Sequence, residues 1–493
     1  MKIWISVATA GALLCGKAFA FCGFFVAQAG AKLFNKTSRV IVARDGTHTV
    51  VTMANDYQGD VKNFALVVPV PTTLKREQIR VVEPDIFERL DAYSAPRLAE
   101  YYDSPPCQPP YRAFAKAEQT SAADAREVAV NDDLGVTVEA RYTVGEYDIV
   151  ILSAKESEGL ATWLKQNGYH IPDQAQDVLR PYIQNRLKFF VVKVNLEELK
   201  LGGYQNLRPI QIEYDDERFM LPIRLGMANA DGEQDLVVFA LSKTGRIETV
   251  NYRTVPVPTN VDVPLSVKSR FGEFYKAVFE KSWLSENKKA VFLEYFWDLS
   301  GHNFVKCDPC AADPPSGGDL VAAGAKWVEL VAKQDFSGAD YQGTVFLTRL
   351  HLRYGRKEFP EDLFFVETPD RQNFQARYVL HVPGEGPYDC PEGKRYLKEL
   401  AARRIREAEN LAKLTGWDVS RERKQAAETE KNYVPWIFSR QSDDGPDNPP
   451  SFADYLLKAA IAVSVVLAIL TLFLVLPAAW KSYIRRSDTL SAD

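Results

Sequence analysis

The stretch "RVIVARDGTHTVVTMANDYQG", residues 39–59, decides the fold class. Two runs rich in β-branched residues alternate side chains on either side of Asp45-Gly46. A tight hairpin turn needs positive φ at its centre, and Asp-Gly supplies it in a type I′ turn. The stretch therefore predicts two antiparallel strands joined by a two-residue turn.

Working outward, "FALVVPVP" (64–71) reads as a further strand ended by Pro69 and Pro71. "EPDIFERLDAYSAPRLAEYY" reads as helix, with Ile86, Phe87, Leu90 and Tyr93 on one side and a break at Pro96. "VTVEARYTVGEYDIVILSA" is a second hairpin, and residues 157–194 read helix, turn, helix, strand. Two more hairpins are expected, "LRPIQIEYDDERFMLPIRL" turning at Asp215-Asp216 and "DLVVFALSKTGRIETVNYRTV" turning at Thr244-Gly245. Strands joined at such short spacing imply antiparallel sheets rather than a parallel βαβ core.

Past "VPVPTNVDVP", "FGEFYKAVFEKSWLSENKKAVFLEYFWDLS" reads as helix. Strands return at "GTVFLTRLHLRY", "LFFVET" and "FQARYVLHV". A long helix follows, with Leu397, Ala401, Ile405, Ala408 and Leu411 at helical spacing and Gly416 as its stop. The expected class is α+β: a β-rich antiparallel ectodomain with interspersed helices, plus one C-terminal transmembrane helix.

The chain ends set the expected topology. Lys2, an apolar run from Ile3 to Leu14, and Ala18-Phe19-Ala20 match a secretory signal peptide over residues 1–20. From Ala459 to Trp480 there is no charge, a length that suits one crossing of a ~30 Å hydrocarbon core. Lys481, Arg485 and Arg486 follow it, which places the tail in the cytoplasm and the bulk outside, in the periplasm or at the cell surface. The span between these ends exceeds the ~250–300 residues that one core usually holds. The expected organisation is a β-rich region over 21–260, an α+β region over 261–417, a polar linker over 418–454, a membrane helix over 455–480 and a tail over 481–493. Charged residues are 25% and the net charge is −5, which gives no basic stripe for nucleic acid. At 46% hydrophobic and 12% aromatic the ectodomain is a folded body.

The order of several motifs resembles the bacterial family known only as domain of unknown function 2330. They are "CGFFV", "RVIVARDGTHTVVTMANDYQGD", "FALVVPVP", "WLKQNGYHIP", "CDPCAADP", "LTRLHLRY", "FPEDLFF" and "DRQNFQARYVLHV", spread over residues 22 to 417. The resemblance implies an exported bacterial protein, and it carries over no activity, substrate or catalytic residue.

Signal cleavage leaves Cys22, Cys107, Cys307, Cys310 and Cys390. An oxidising compartment makes pairing the default. In "KCDPC", Cys307 and Cys310 admit three roles. As a thioredoxin-like dithiol they would open a helix, but Asp308 raises a thiol pKa and Pro314-Pro315 blocks helix continuation. As half of a zinc site they lack a second C-x-x-C. As a structural disulfide they need only an exported turn, and that is the expectation. Whether they pair with each other or with Cys390 stays open.

In "VFLTRLHLRY" the alternation puts Val345, Leu347, Arg349, His351 and Arg353 on one face. Three cations there suit a phosphate or carboxylate. The favoured expectation is a solvated outer face paired with acids such as Glu361 and Asp362. The acid pairs Asp132-Asp133, Asp215-Asp216 and Glu361-Asp362 are expected in or near turns, in solvating roles. No zinc-protease, phosphate-loop, nucleophile-elbow or dinucleotide motif is present, and no cofactor or metal is expected. The expected function is a membrane-anchored binding or scaffold module with an envelope protein or other extracytoplasmic ligand as partner. The alternative is an extracytoplasmic enzyme, a thiol oxidoreductase at Cys307 and Cys310 or a hydrolase with an unfamiliar site.

Overall fold

The hairpin forms as its residues dictate. In the computed structural model, strands Thr37–Asp45 and His48–Met53 pair antiparallel, with Asp45 opposite His48. The turn's centre is therefore Gly46-Thr47, one residue later than Asp45-Gly46. Only Gly46 takes positive φ, at 58°, so the turn has the form that needs glycine at its first central position.

The structure describes residues 24–27, 37–54, 64–107, 137–154, 157–166, 175–194, 207–228, 232–300, 312–331 and 340–429. These all belong to the first of two compact units, residues 1–431. The expected signal peptide, membrane helix, cytoplasmic tail and the Cys307/Cys310 pair lie outside the described residues. Among the described residues no helix is long and apolar enough to cross a membrane.

The hairpin sits inside a nine-stranded sheet. Its path runs Arg253–Pro256, Ala290–Asp298, Phe346–Tyr354, Gln234–Ser242, Thr37–Asp45, His48–Met53, Ile210–Asp215 and Ile79–Val81, and Phe374–Gln375 adds to Ala290–Asp298. Strands from both sides of residue 260 thus share one sheet. A five-stranded sheet, Phe24–Ala27, Phe64–Val70, Lys188–Val194, Tyr147–Ser153 and Thr137–Val144 in order, includes the second expected hairpin.

Alternation builds the layers. Val40, Val42, Val238, Leu350 and Leu352 of the large sheet pack with Leu66, Val68, Ile149, Ile151 and Phe190 of the smaller one. The opposite side chains of the large sheet, Ile41, Ala43, Phe239 and Leu347, meet Phe87 and Leu90 of helix Asp85–Ser94. The outer face of the smaller sheet, through Val67, Phe189 and Val191, packs on Leu160, Trp163 and Leu179 of two helices, Ser157–Gln166 and Ala175–Gln184. The order is helix, sheet, sheet, helix. Burying a large aliphatic or aromatic side chain contributes ~1.5–3 kcal/mol, and both sheets of this sandwich bury apolar side chains on both faces.

Several expectations are corrected. The pairing is mixed, because Thr37–Asp45 runs parallel to Gln234–Ser242 and Arg253–Pro256 parallel to Ala290–Asp298. Neither expected late hairpin closes. Ile210–Asp215 pairs with His48–Met53, while Met220–Leu221 joins Leu363–Glu367. Ile247–Thr249 also joins Leu363–Glu367 rather than its neighbour in sequence. The helix after 260 stops at Ser285, where Asn287 and Lys288 take positive φ, and "AVFLEYFWD" becomes a strand. "RLAEYY" after Pro96 is likewise strand, not helix. The long helix, Pro391–Thr415, ends at Gly416 with φ 77° as expected. Its buried residues are Leu400, Glu407, Ala408, Leu411 and Leu414, whereas Ile405 is 42% exposed. Ser420–Glu428, at the start of the expected linker, is a helix.

One tight spot yields a prediction. A Cβ on Gly245 would stand 2.6 Å from the Asp370 carbonyl oxygen and still nearer that of Thr368. Both obstacles are backbone, so Gly245→Ala should destabilise the fold by about 1–3 kcal/mol, read as a lower denaturant midpoint.

Candidate functional site

The face holding Arg349, His351 and Arg353 is not solvated. It lies under helix Phe271–Ser285, and its cations form an alternating chain with carboxylates drawn from three other elements. Arg349 Nε donates to Glu294 Oε2 at 2.6 Å and its Nη1 to Asp91 Oδ1 at 2.5 Å. His351 Nδ1 lies 2.7 Å from Glu294 Oε1, and its Nε2 lies 3.7 Å from Asp235 Oδ1. Arg353 closes the series with two bonds to Asp235, at 2.8 and 3.0 Å. The expected partners are elsewhere. Asp362 is buried, takes Arg224 and the Tyr182 hydroxyl, and accepts the Ile223 and Arg224 amides. Glu361 accepts from Asn251. The expected solvating role therefore fails for Asp362, whose buried carboxylate is consumed by these donors.

A local irregularity aims the central carboxylate. The ladder between Ala290–Asp298 and Phe346–Tyr354 shifts register between Leu293 and Tyr295, leaving Glu294 as the extra residue. A bulge of this kind bends the strand and redirects a side chain. Glu294 thereby joins Phe292 and Tyr295 on the helix side, opposite His351 and Arg349. Tyr275 of the covering helix donates to Glu294 Oε1 at 2.5 Å, and Phe279 stacks on the His351 ring at 3.8 Å between centroids.

The electrostatics follow. Burial alone would raise the Glu294 pKa, but His351 and Arg349 outweigh it and hold the carboxyl at about 2. Burial would lower that of His351, yet Glu294 and Asp235 push it up to about 9. Glu294 is thus a carboxylate and His351 an imidazolium at neutral pH, each neutralised by its neighbours. Cations at Arg349, His351 and Arg353 direct their donors at Glu294, Asp91 and Asp235 of this same chain.

Glu294, Asp235, Asp91 and Tyr275 were missed by sequence reasoning. The available signal was Glu294 itself, a lone acid within "AVFLEYFW". A charge in a run that apolar must be met inside the fold.

A cavity of about 480 Å³ opens elsewhere, lined by Asn251, Tyr252, Arg253, Glu286, Lys289 and Lys357 among others. No member of the ion chain lines it. Among the described residues no group of three His, Cys, Asp or Glu side chains is arranged to hold a metal.

Among the described residues Cys107 and Cys390 form a disulfide, with Cα atoms 6.2 Å apart. Of the pairings left open above, this removes Cys390 as a partner for Cys307 or Cys310. Cys390 is also the N-cap of the long helix, where its Sγ accepts from the Gly393 amide at 3.2 Å.

An α+β body of several sheets, braced by a buried ion chain and by the long-range Cys107–Cys390 disulfide, defines the class of molecule. A model of the family described as "Uncharacterized protein conserved in bacteria (DUF2330)" matches residues 17–366, and the chain belongs to that family. The match ends short of "DRQNFQARYVLHV" and the long helix, which the motif resemblance had included. No curated protein and no solved structure matches the chain.

Proposed function

We propose that this chain is exported and acts as a membrane-anchored extracytoplasmic binding or scaffold protein. The observation that carries the reading is the Cys107–Cys390 bond. Such bonds persist in oxidising compartments and are rare where thiols are kept reduced. The apolar run from Ala459 to Trp480, with cations after it, supports the anchor. The inward neutralisation of the ion chain supports a brace rather than a catalytic centre. A general acid or base needs a proton affinity near the working pH, whereas Glu294 and His351 are held far from it on either side.

In spheroplasts of a bacterial host, protease added from outside should digest the body, while an epitope placed after Asp493 stays protected. A body that resists until the membrane is permeabilised would overturn the reading.

A further inference from the structure

We propose that the seam between the long helix and strands Arg97–Tyr102, Arg377–Val382 and Val261–Asp262 is a proton-sensitive joint centred on Glu407. It is closed while Glu407 carries a proton and loosened once the proton is lost.

The geometry leaves Glu407 poorly served as an anion. Its side chain is buried on the inward face of the helix. Arg403, one turn earlier, spends both terminal nitrogens on Asp103, at 3.2 and 2.5 Å. Its Nε is left 3.5 Å from Glu407 Oε1, too long for a hydrogen bond. Arg404 Nη1 donates to Thr429 at the end of the helix Ser420–Glu428. That helix also carries Glu422, held by Ser266. From the strand side come two further acids, Asp103, which also binds the Tyr396 hydroxyl, and Asp262, which is 3.2 Å from His381 Nε2. From helix Phe271–Ser285, Lys281 reaches the carbonyls of Ala412 and Lys413 at the far end of the long helix.

Burial raises the Glu407 pKa, Arg403 and Arg404 oppose it, and Asp262 and Asp103 add to it; the result is about 7. The folded pKa lies above the unfolded one. Stability from this group is therefore full below the unfolded value, about 4.3, and is lost as pH rises through about 7.

What loosens is defined by packing. The turn after Glu407 buries Ala408, Leu411 and Leu414 against Val263, Phe274 and Tyr378. The helix Ser420–Glu428 packs on the long helix by way of Arg404 and Thr429. The N-terminal end stays fixed, because Cys107–Cys390 and the Asp103–Arg403 pair hold it. The joint therefore acts on the segment by which the body continues into residues 430–493.

Hydrogen exchange on the full-length chain in detergent tests this, at about pH 5.5 and about pH 8, corrected for intrinsic rates. Peptides from the second half of the long helix and from Ser420–Glu428 should exchange on the order of tenfold faster at the higher pH, while the Phe346–Tyr354 strand does not change. Glu407→Gln should hold the protected rate at both pH values. Should that variant fail to fold, Asp262→Asn removes one of the negative charges that raise the Glu407 pKa, so the exchange transition should move to lower pH and shrink. Exchange that ignores pH in the wild type, or a pH response that survives Glu407→Gln, would overturn the proposal.

Discussion

Glu294→Gln should destabilise the protein by about 3–5 kcal/mol, the typical loss when one partner of a buried ion pair is removed. Gln fills the same volume, so the effect isolates charge. Arg349 and His351 would then share a site whose central anion has gone. The pH profile of the wild type should report the same interaction. Glu294 has a folded pKa below its unfolded value, so its contribution is present above the unfolded value, about 4.3, and fades as pH falls toward about 2. His351 has the opposite sign, contributing fully below about 6.5 and fading as pH rises through about 9. The two limbs read one interaction from its two ends and do not add. Denaturant unfolding across pH checks both. Replacing Glu294, Arg349 and His351 together by apolar residues of similar volume should recover most of the loss, because desolvating ions offsets much of what their pairing contributes.

Cys107→Ser should cost about 2–5 kcal/mol, near the upper end of what one disulfide contributes, because the bond spans a sequence separation of 283. Local geometry adds to the effect. Cys390 caps the long helix, and Gly393 leaves no room for a Cβ beside the Tyr388 backbone, so this corner cannot easily shift to relieve the loss. Thermal unfolding with and without reductant separates the causes. Reductant should lower the wild-type midpoint by more than that of the variant and bring the two together.

Much of the fold was legible because its strands are locally self-consistent. The 39–59 hairpin, the 137–153 hairpin and the Gly416 stop each rest on residues within a few positions of one another. What escaped reading depends on distant partners. Nothing within "TSRVIVARD" says that its second neighbour is the parallel strand Gln234–Ser242. The helix past 260 was read too far because polar "SENKK" continues a helical pattern, while Asn287 and Lys288 in fact turn the chain back. The alternation in "VFLTRLHLRY" was read correctly, yet alternation alone cannot tell a solvated face from one roofed by a helix. The clue lay 55 residues upstream, in the single acid of "AVFLEYFW". The misplaced stripe on the long helix has the same root, since Glu407 is buried and Ile405 is exposed.

The most direct test of the central claim, an exported chain locked by a long-range bond, is peptide mapping of the full-length protein taken from bacterial cells. Free thiols are blocked before lysis and digestion is done without reductant. The account predicts a crosslinked peptide pair containing Cys107 and Cys390, with neither residue alkylated. Recovery of both as blocked free thiols would contradict it.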